Sequence, residues 1–254
     1  MRRALVATTR AEWRQVTSSR RLPFALAASA LLTLALGGAA AWNHRQLAAQ
    51  GVVDLDSVGA GRELLTNASV MYLVAALTAM VVVAGDRRLG VAATTSLFSP
   101  RPSVRMYAKL IVVVVTAVAI AMVGVAIALA ITLVTIGGSG LGALGVRQVV
   151  GLVAGLMVGA ICWGLIGAGI AAATGNLVAT AVGYFAWLLG GEALVAGALP
   201  DPWGAVLPGG DPTWALTGEA SALDVTGPQA AAMLAAWTIG VVAVGAALSI
   251  RRRA

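Results

Sequence analysis

Charge is scarce in this chain. Only 11% of its 254 residues are Asp, Glu, Lys or Arg, against about 25% in soluble domains. So few charges cannot dress the surface of a soluble fold of this length, which excludes a soluble enzyme and a disordered chain. Cysteine is nearly absent as well. Cys162 stands alone, so a disulfide-stapled secreted domain is excluded. It lies in the apolar run 159–166 and reads as a small buried hydrophobe. Histidine occurs once, at His44, and no cysteine–histidine spacing for a metal exists. No GxxxxGK[ST] segment occurs, so the chain has no loop to cradle the phosphates of ATP. The stretch Gly137-Gly138-Ser139-Gly140 offers a serine without a base at its depth, which argues against an intramembrane serine protease. His44 itself reads as a solvated residue of a loop.

Apolar residues fill the space that charge leaves. They make up 59% of the chain before its 31 glycines are added. A helix needs roughly 20 apolar residues to cross a bilayer core. Runs at 22–42, 64–85, 110–136, 149–173, 177–198 and 228–250 meet or approach that length. They are continuous rather than alternating, so they read as helices and not strands. The expected fold is an all-α polytopic membrane protein: one transmembrane domain over 1–254 with six spans.

The basic residues sort by side. Arg2, Arg3, Arg10, Arg14, Arg20 and Arg21 precede the first span. Arg87, Arg88, Arg101, Arg105 and Lys109 lie between the second and third, and Arg251, Arg252 and Arg253 follow the sixth. The opposite side holds Arg45, Arg62 and Arg147 with seven of the ten acids. The positive-inside rule then predicts that both termini are cytoplasmic. The net charge of +7 reads as topology and attraction to membrane lipids, not as a nucleic-acid footprint. The apolar run at 22–42 is too long for the core of a signal peptide, and no cleavage is expected there.

Residues 1–21 are amphipathic. Leu5, Thr9, Trp13 and Val16 share one helical face, and Arg3, Arg10 and Arg14 share another. That pattern predicts an interfacial elbow helix, with Trp13, Arg10 and Arg14 as membrane anchors. Gly151, Gly155 and Gly159 make a small-residue stripe on the fourth span, for packing inside the chain or between protomers. Glu192 is the one ionisable group inside a span. It either contacts a substrate path or a protomer interface, or it reaches the headgroups. Residues 199–227 form an external segment rich in turn formers, and this segment could re-enter the membrane. Residues 86–109 form a cytoplasmic loop in which 89–98 could fold as a short helix, ended by Pro100 and Pro102.

This loop carries a family resemblance. Asp86, Gly90, Leu97, Pro100, Arg105 and Lys109 follow one another here as an acid, a glycine, a leucine, a proline, an arginine and a lysine opening the third span. Valine stands at 91 where threonine is usual, and aspartate at 86 where glutamate is commoner. With the six spans, the elbow, and Leu207-Pro208-Gly209-Gly210 before the last span, the chain resembles the permease subunits of ATP-binding-cassette exporters of the second permease type. It is most similar to their actinobacterial members, in a bacterial cytoplasmic membrane. The resemblance implies no catalysis in this chain and no cofactor of its own, with ATP and Mg held by a partner ATPase subunit. It implies a second permease protomer, in a homo- or heterodimer. It also implies that Asp86, Arg87, Arg88, Gly90, Leu97, Phe98 and Arg105 couple the spans to the ATPase. The competing readings are a carrier or channel acting alone, and a membrane interaction or self-protection protein that transports nothing.

Overall fold

The computed structural model describes residues 2–55, 57–88, 102–218 and 223–251, with side chains at all but 2, 3, 86–88, 102 and 138–143. Among the described residues the chain is helical, without a strand. Helix α1 covers Arg2–Ser18, and α2 covers Arg21–Ala49. Helix α3, Val58–Thr66, continues through a 3₁₀ turn into α4, Met71–Arg88. Helical structure runs over Pro102–Thr174, but Gly137 and Gly145 break it with φ of 68° and 69°. The break leaves α5, Ser103–Gly137, and α6, Leu144–Thr174. Helix α7, Leu177–Ala186, passes through a π turn at Trp187–Gly191 into α8, Glu192–Ala198. A short α9, Asp211–Trp214, precedes α10, Gly227–Arg251.

Six helical units are long and apolar enough to cross a membrane: Arg21–Ala49, Val58–Gly85, Ser103–Gly137, Leu144–Thr174, Leu177–Ala198 and Gly227–Arg251. Each of the six apolar runs falls inside one of them. Their ends differ from the runs because polar side chains find protein partners and so do not stop the helix. His44 is the first case. It is not a solvated loop residue: α2 runs on through Ala49, and His44 is buried with Nε2 3.4 Å from Oε2 of Glu63. One residue on, Arg45 donates from Nη2 to the carbonyl of Val134 at 2.8 Å. That carbonyl lies in the last turn of α5, where acceptors lack helical partners. The loop expected at 86–109 is shorter for the same reason. The backbone of 86–88 continues α4, and α5 begins before Arg105 and Lys109.

The hairpin between α6 and α7 rests on Thr174-Gly175-Asn176. Gly175 takes a φ of 67°, a conformation that glycine adopts without a steric cost. Asn176 caps α7 by accepting from the amides of Val178 at 2.9 Å and Ala179 at 3.3 Å, which satisfies two orphan donors.

Helix α6 is the centre of the packing. A Cβ at Gly159 would collide with the Tyr72 ring of α4, and one at Gly155 with the carbonyl of Leu216. At Gly167 it would stand 2.7 Å from the carbonyl of Ala76, and at Gly169 2.8 Å from that of Val241 in α10. At Gly155, Gly167 and Gly169 backbone thus meets backbone, on more than one face of α6. Gly155 and Gly159 pack inside the chain, whereas nothing stands within 4 Å of a Cβ at Gly151. The expected glycine stripe is therefore split. We predict that Gly155→Ala and Gly159→Ala each cost about 1–3 kcal/mol by overpacking, while Gly151→Ala is close to neutral. Thermal unfolding in detergent checks this, and equal melting of all three variants would contradict it.

Candidate functional site

Two polar clusters interrupt the apolar bundle among the described residues, one toward each end. The first joins α1, α4 and α5. Glu12 lies on the inward face of α1, and its side chain is only 7% exposed. Its Oε1 is 3.6 Å from Nε of Arg105 and its Oε2 is 3.8 Å from Nζ of Lys109, both cations on α5 and both buried. Lys109 also donates to the carbonyl of Val82 in α4 at 2.8 Å. One carboxylate between two cations is held well only if all members stay, because removing one strands a buried charge. Around it, Val16 is buried against Val82, Val112 and Val113, with Trp13 packed beside them. Arg10 and Arg14 stay exposed on α1. The amphipathic reading of α1 therefore describes its packing against α4 and α5.

This cluster ties α1 to the feet of the two spans that bracket residues 89–101. Arg105, expected on a loop, is inside α5 and engages Glu12. Gly90, Leu97 and Phe98 lie outside the described residues. Asp86, Arg87 and Arg88 have a helical backbone in α4, with side chains outside the described set. The structure therefore does not bring the seven expected coupling residues together as one surface. Sequence reasoning missed Glu12. The available signal was its register: it falls between Thr9 and Val16 on the apolar stripe, where a carboxylate needs cationic partners. Arg105 and Lys109, four residues apart on one helical face, are those partners.

The second cluster is built from α6, α7, α8, α10 and the segment after Ala198. Glu192 is half-buried at the start of α8. It accepts from Nε1 of Trp187 at 2.8 Å and from the amide of Gly209 at 2.6 Å. A Cβ at Gly209 would meet that carboxylate, so a side chain there would have to displace Glu192. Next to it, Trp163 of α6 donates to the hydroxyl of Thr213 at 3.1 Å. On α10, Trp237 donates to the carbonyl of Val206 at 2.8 Å. Trp163 stands 11 residues from the end of α6 and Trp237 10 residues from the start of α10. Each is about 15 Å inside its helix at the helical rise. Residues 199–218 therefore fold back to the middle of the bundle. Backbone at that depth needs a protein cover. The segment has one, since Leu207, Pro208, Asp211, Thr213, Ala215 and Thr217 are buried.

The arrangement can hold helices together and can move a segment. Among the described residues no group of three or more His, Cys, Asp or Glu is placed to hold a metal ion. Cys162 is buried in the core. The architecture is that of a multi-pass membrane protein. Compared with known proteins, the chain matches no family model, no curated protein and no solved structure.

The Glu12 cluster makes a direct prediction. Glu12→Gln removes a carboxylate that faces two buried cations and should cost about 3–5 kcal/mol. Unfolding monitored by circular dichroism should show a lower midpoint, with the largest early loss of protection in α1 by hydrogen exchange. An unchanged midpoint would contradict the pairing.

Proposed function

We propose that this chain is the permease subunit of an ATP-driven exporter, embedded in a bacterial cytoplasmic membrane with both termini inside. It moves an amphipathic or hydrophobic substrate outward. ATP and Mg act on a separate ATPase subunit, and this chain performs no catalysis. The observation that carries the reading is the buried Glu12, Arg105 and Lys109 cluster. It makes α1, the foot of α4 and the foot of α5 one mechanical unit around the 89–101 connection. A partner that grips this connection would move all three together. Such a rigid element with two positions is what coupling between an ATPase and a transport path requires.

Three further features support the reading. The order Asp86, Gly90, Leu97, Pro100, Arg105 and Lys109 resembles the coupling loop of these permeases. Basic residues collect at the end that holds α1, and acids at the other, which favours an inward N-terminus. Helices α7 and α8 leave a face uncovered: 11% of that span's most apolar window is buried within the chain, against 61% for Val58–Gly85. A second protomer and membrane lipids are the covers consistent with this surface.

The test is association with the ATPase subunit. The full chain, expressed with the ATPase encoded nearest to it, should co-purify in mild detergent and stimulate ATP hydrolysis. Replacing Leu97 and Phe98 by aspartate should weaken that association about tenfold or more, equivalent to at least 1.4 kcal/mol, while membrane insertion stays intact. A chain that transports unaided, or an association unaffected by both substitutions, would overturn the proposal.

A further inference from the structure

The bundle carries an apolar groove with a cationic head. It runs between α2 and α4 and has a volume of about 430 Å³. Ala25, Ala28 and Leu32 form one wall, and Leu73, Leu77 and Val81 the other. Arg20 and Arg21 close one end, and no acidic side chain lines the groove. Arg21 is half-buried and lies over Gly85, where a Cβ would be 3.8 Å from Nη2. From Arg21 to Leu32 the groove follows 11 residues of α2. That is about 16 Å at the helical rise, close to half of a hydrocarbon core about 30 Å thick.

Length, polarity and charge fit one occupant. We propose that this groove binds an acidic phospholipid of the leaflet that holds α1, with one acyl chain along α2 and α4. Its phosphate rests on Arg20 and Arg21. Guanidinium groups meet phosphate with paired, charge-assisted hydrogen bonds. The N-terminus of α2 adds to this field. Its first turn holds no acid, so no carboxylate of the helix offsets its partial positive charge there. Long arginine stems let the charged ends reach headgroup level while the groove stays apolar. A zwitterionic lipid offers the same chain without the net charge, and free phosphate offers the charge without the chain. The site therefore selects for both together. It requires only that the chain span a membrane, so lipid binding stands or falls separately from export.

Native mass spectrometry of the full chain, released from detergent after titration with phosphatidylglycerol, reads the site. Wild-type protein should retain one phosphatidylglycerol in clear preference to phosphatidylcholine, and inorganic phosphate should not displace it. Arg20→Gln with Arg21→Gln should raise the apparent Kd about tenfold or more. Filling the groove with Ala28→Trp should do the same, whereas Arg10→Gln with Arg14→Gln should leave binding unchanged. Equal retention of phosphatidylcholine would overturn the headgroup assignment on unaltered protein. An equal loss in the Arg10 and Arg14 variant would overturn the site in favour of diffuse attraction. Displacement by inorganic phosphate would overturn the role of the groove.

Discussion

The fold depends on how closely backbones can approach α6. Lipid tails are as apolar as leucine, so no hydrophobic force gathers helices inside a bilayer. Close packing and hydrogen bonds must do it. Gly155, Gly159, Gly167 and Gly169 remove side chains on more than one face of α6: Gly159 and Gly167 meet α4, Gly169 meets α10, and Gly155 meets the 199–218 segment. Gly245 answers from α10, where a Cβ would collide with the carbonyl of Gly169. Each contact fills the place where a side chain would stand. Two consequences follow. α6 can serve as the common support for both polar clusters, and the outer segment has somewhere to go when it folds inward.

The polar clusters use that support differently. Glu12, Arg105 and Lys109 are nearly sealed from solvent. Their arrangement fixes α1 against α4 and α5 at the basic end. Glu192 is only half-buried, and its partners are Trp187 of its own span and the amide of Gly209 in the turn after it. That half of the bundle is joined by side-chain hydrogen bonds from Trp163, Trp187 and Trp237 to residues of the 199–218 segment or to Glu192. Such contacts can be exchanged singly, so the outer half is better suited to rearrangement than the inner half. The proposed permease function would use that division, with a stiff base to receive force.

Much of this was legible in the sequence, for physical reasons. Six spans follow from continuous apolar runs, since a bilayer core demands them. The break of three residues at 174–176 between two such runs implies a tight hairpin. Glu192 was identified because a lone carboxylate within a span is costly. What escaped was tertiary. His44 and Arg105 looked like residues of loops because charge and polarity normally end a span. Each instead continues a helix because a partner from another element, Glu63 or Glu12, lies opposite. The inward fold of 199–218 was open in the sequence as a segment that could re-enter the membrane, but its depth was not. Its turn formers mark a bend, and Thr213 against Trp163 with Val206 against Trp237 fixes its depth.

The central claim is a bundle with its basic end in the cytoplasm and its outer segment folded to mid-depth. Single cysteines in a Cys162→Ala background test it, with a membrane-impermeant maleimide applied to intact cells. The account predicts labelling of Val52→Cys from outside, of Ser18→Cys only after permeabilisation, and of Thr213→Cys only after denaturation. Labelling of Ser18→Cys in intact cells, or of Thr213→Cys as readily as Val52→Cys, would contradict it.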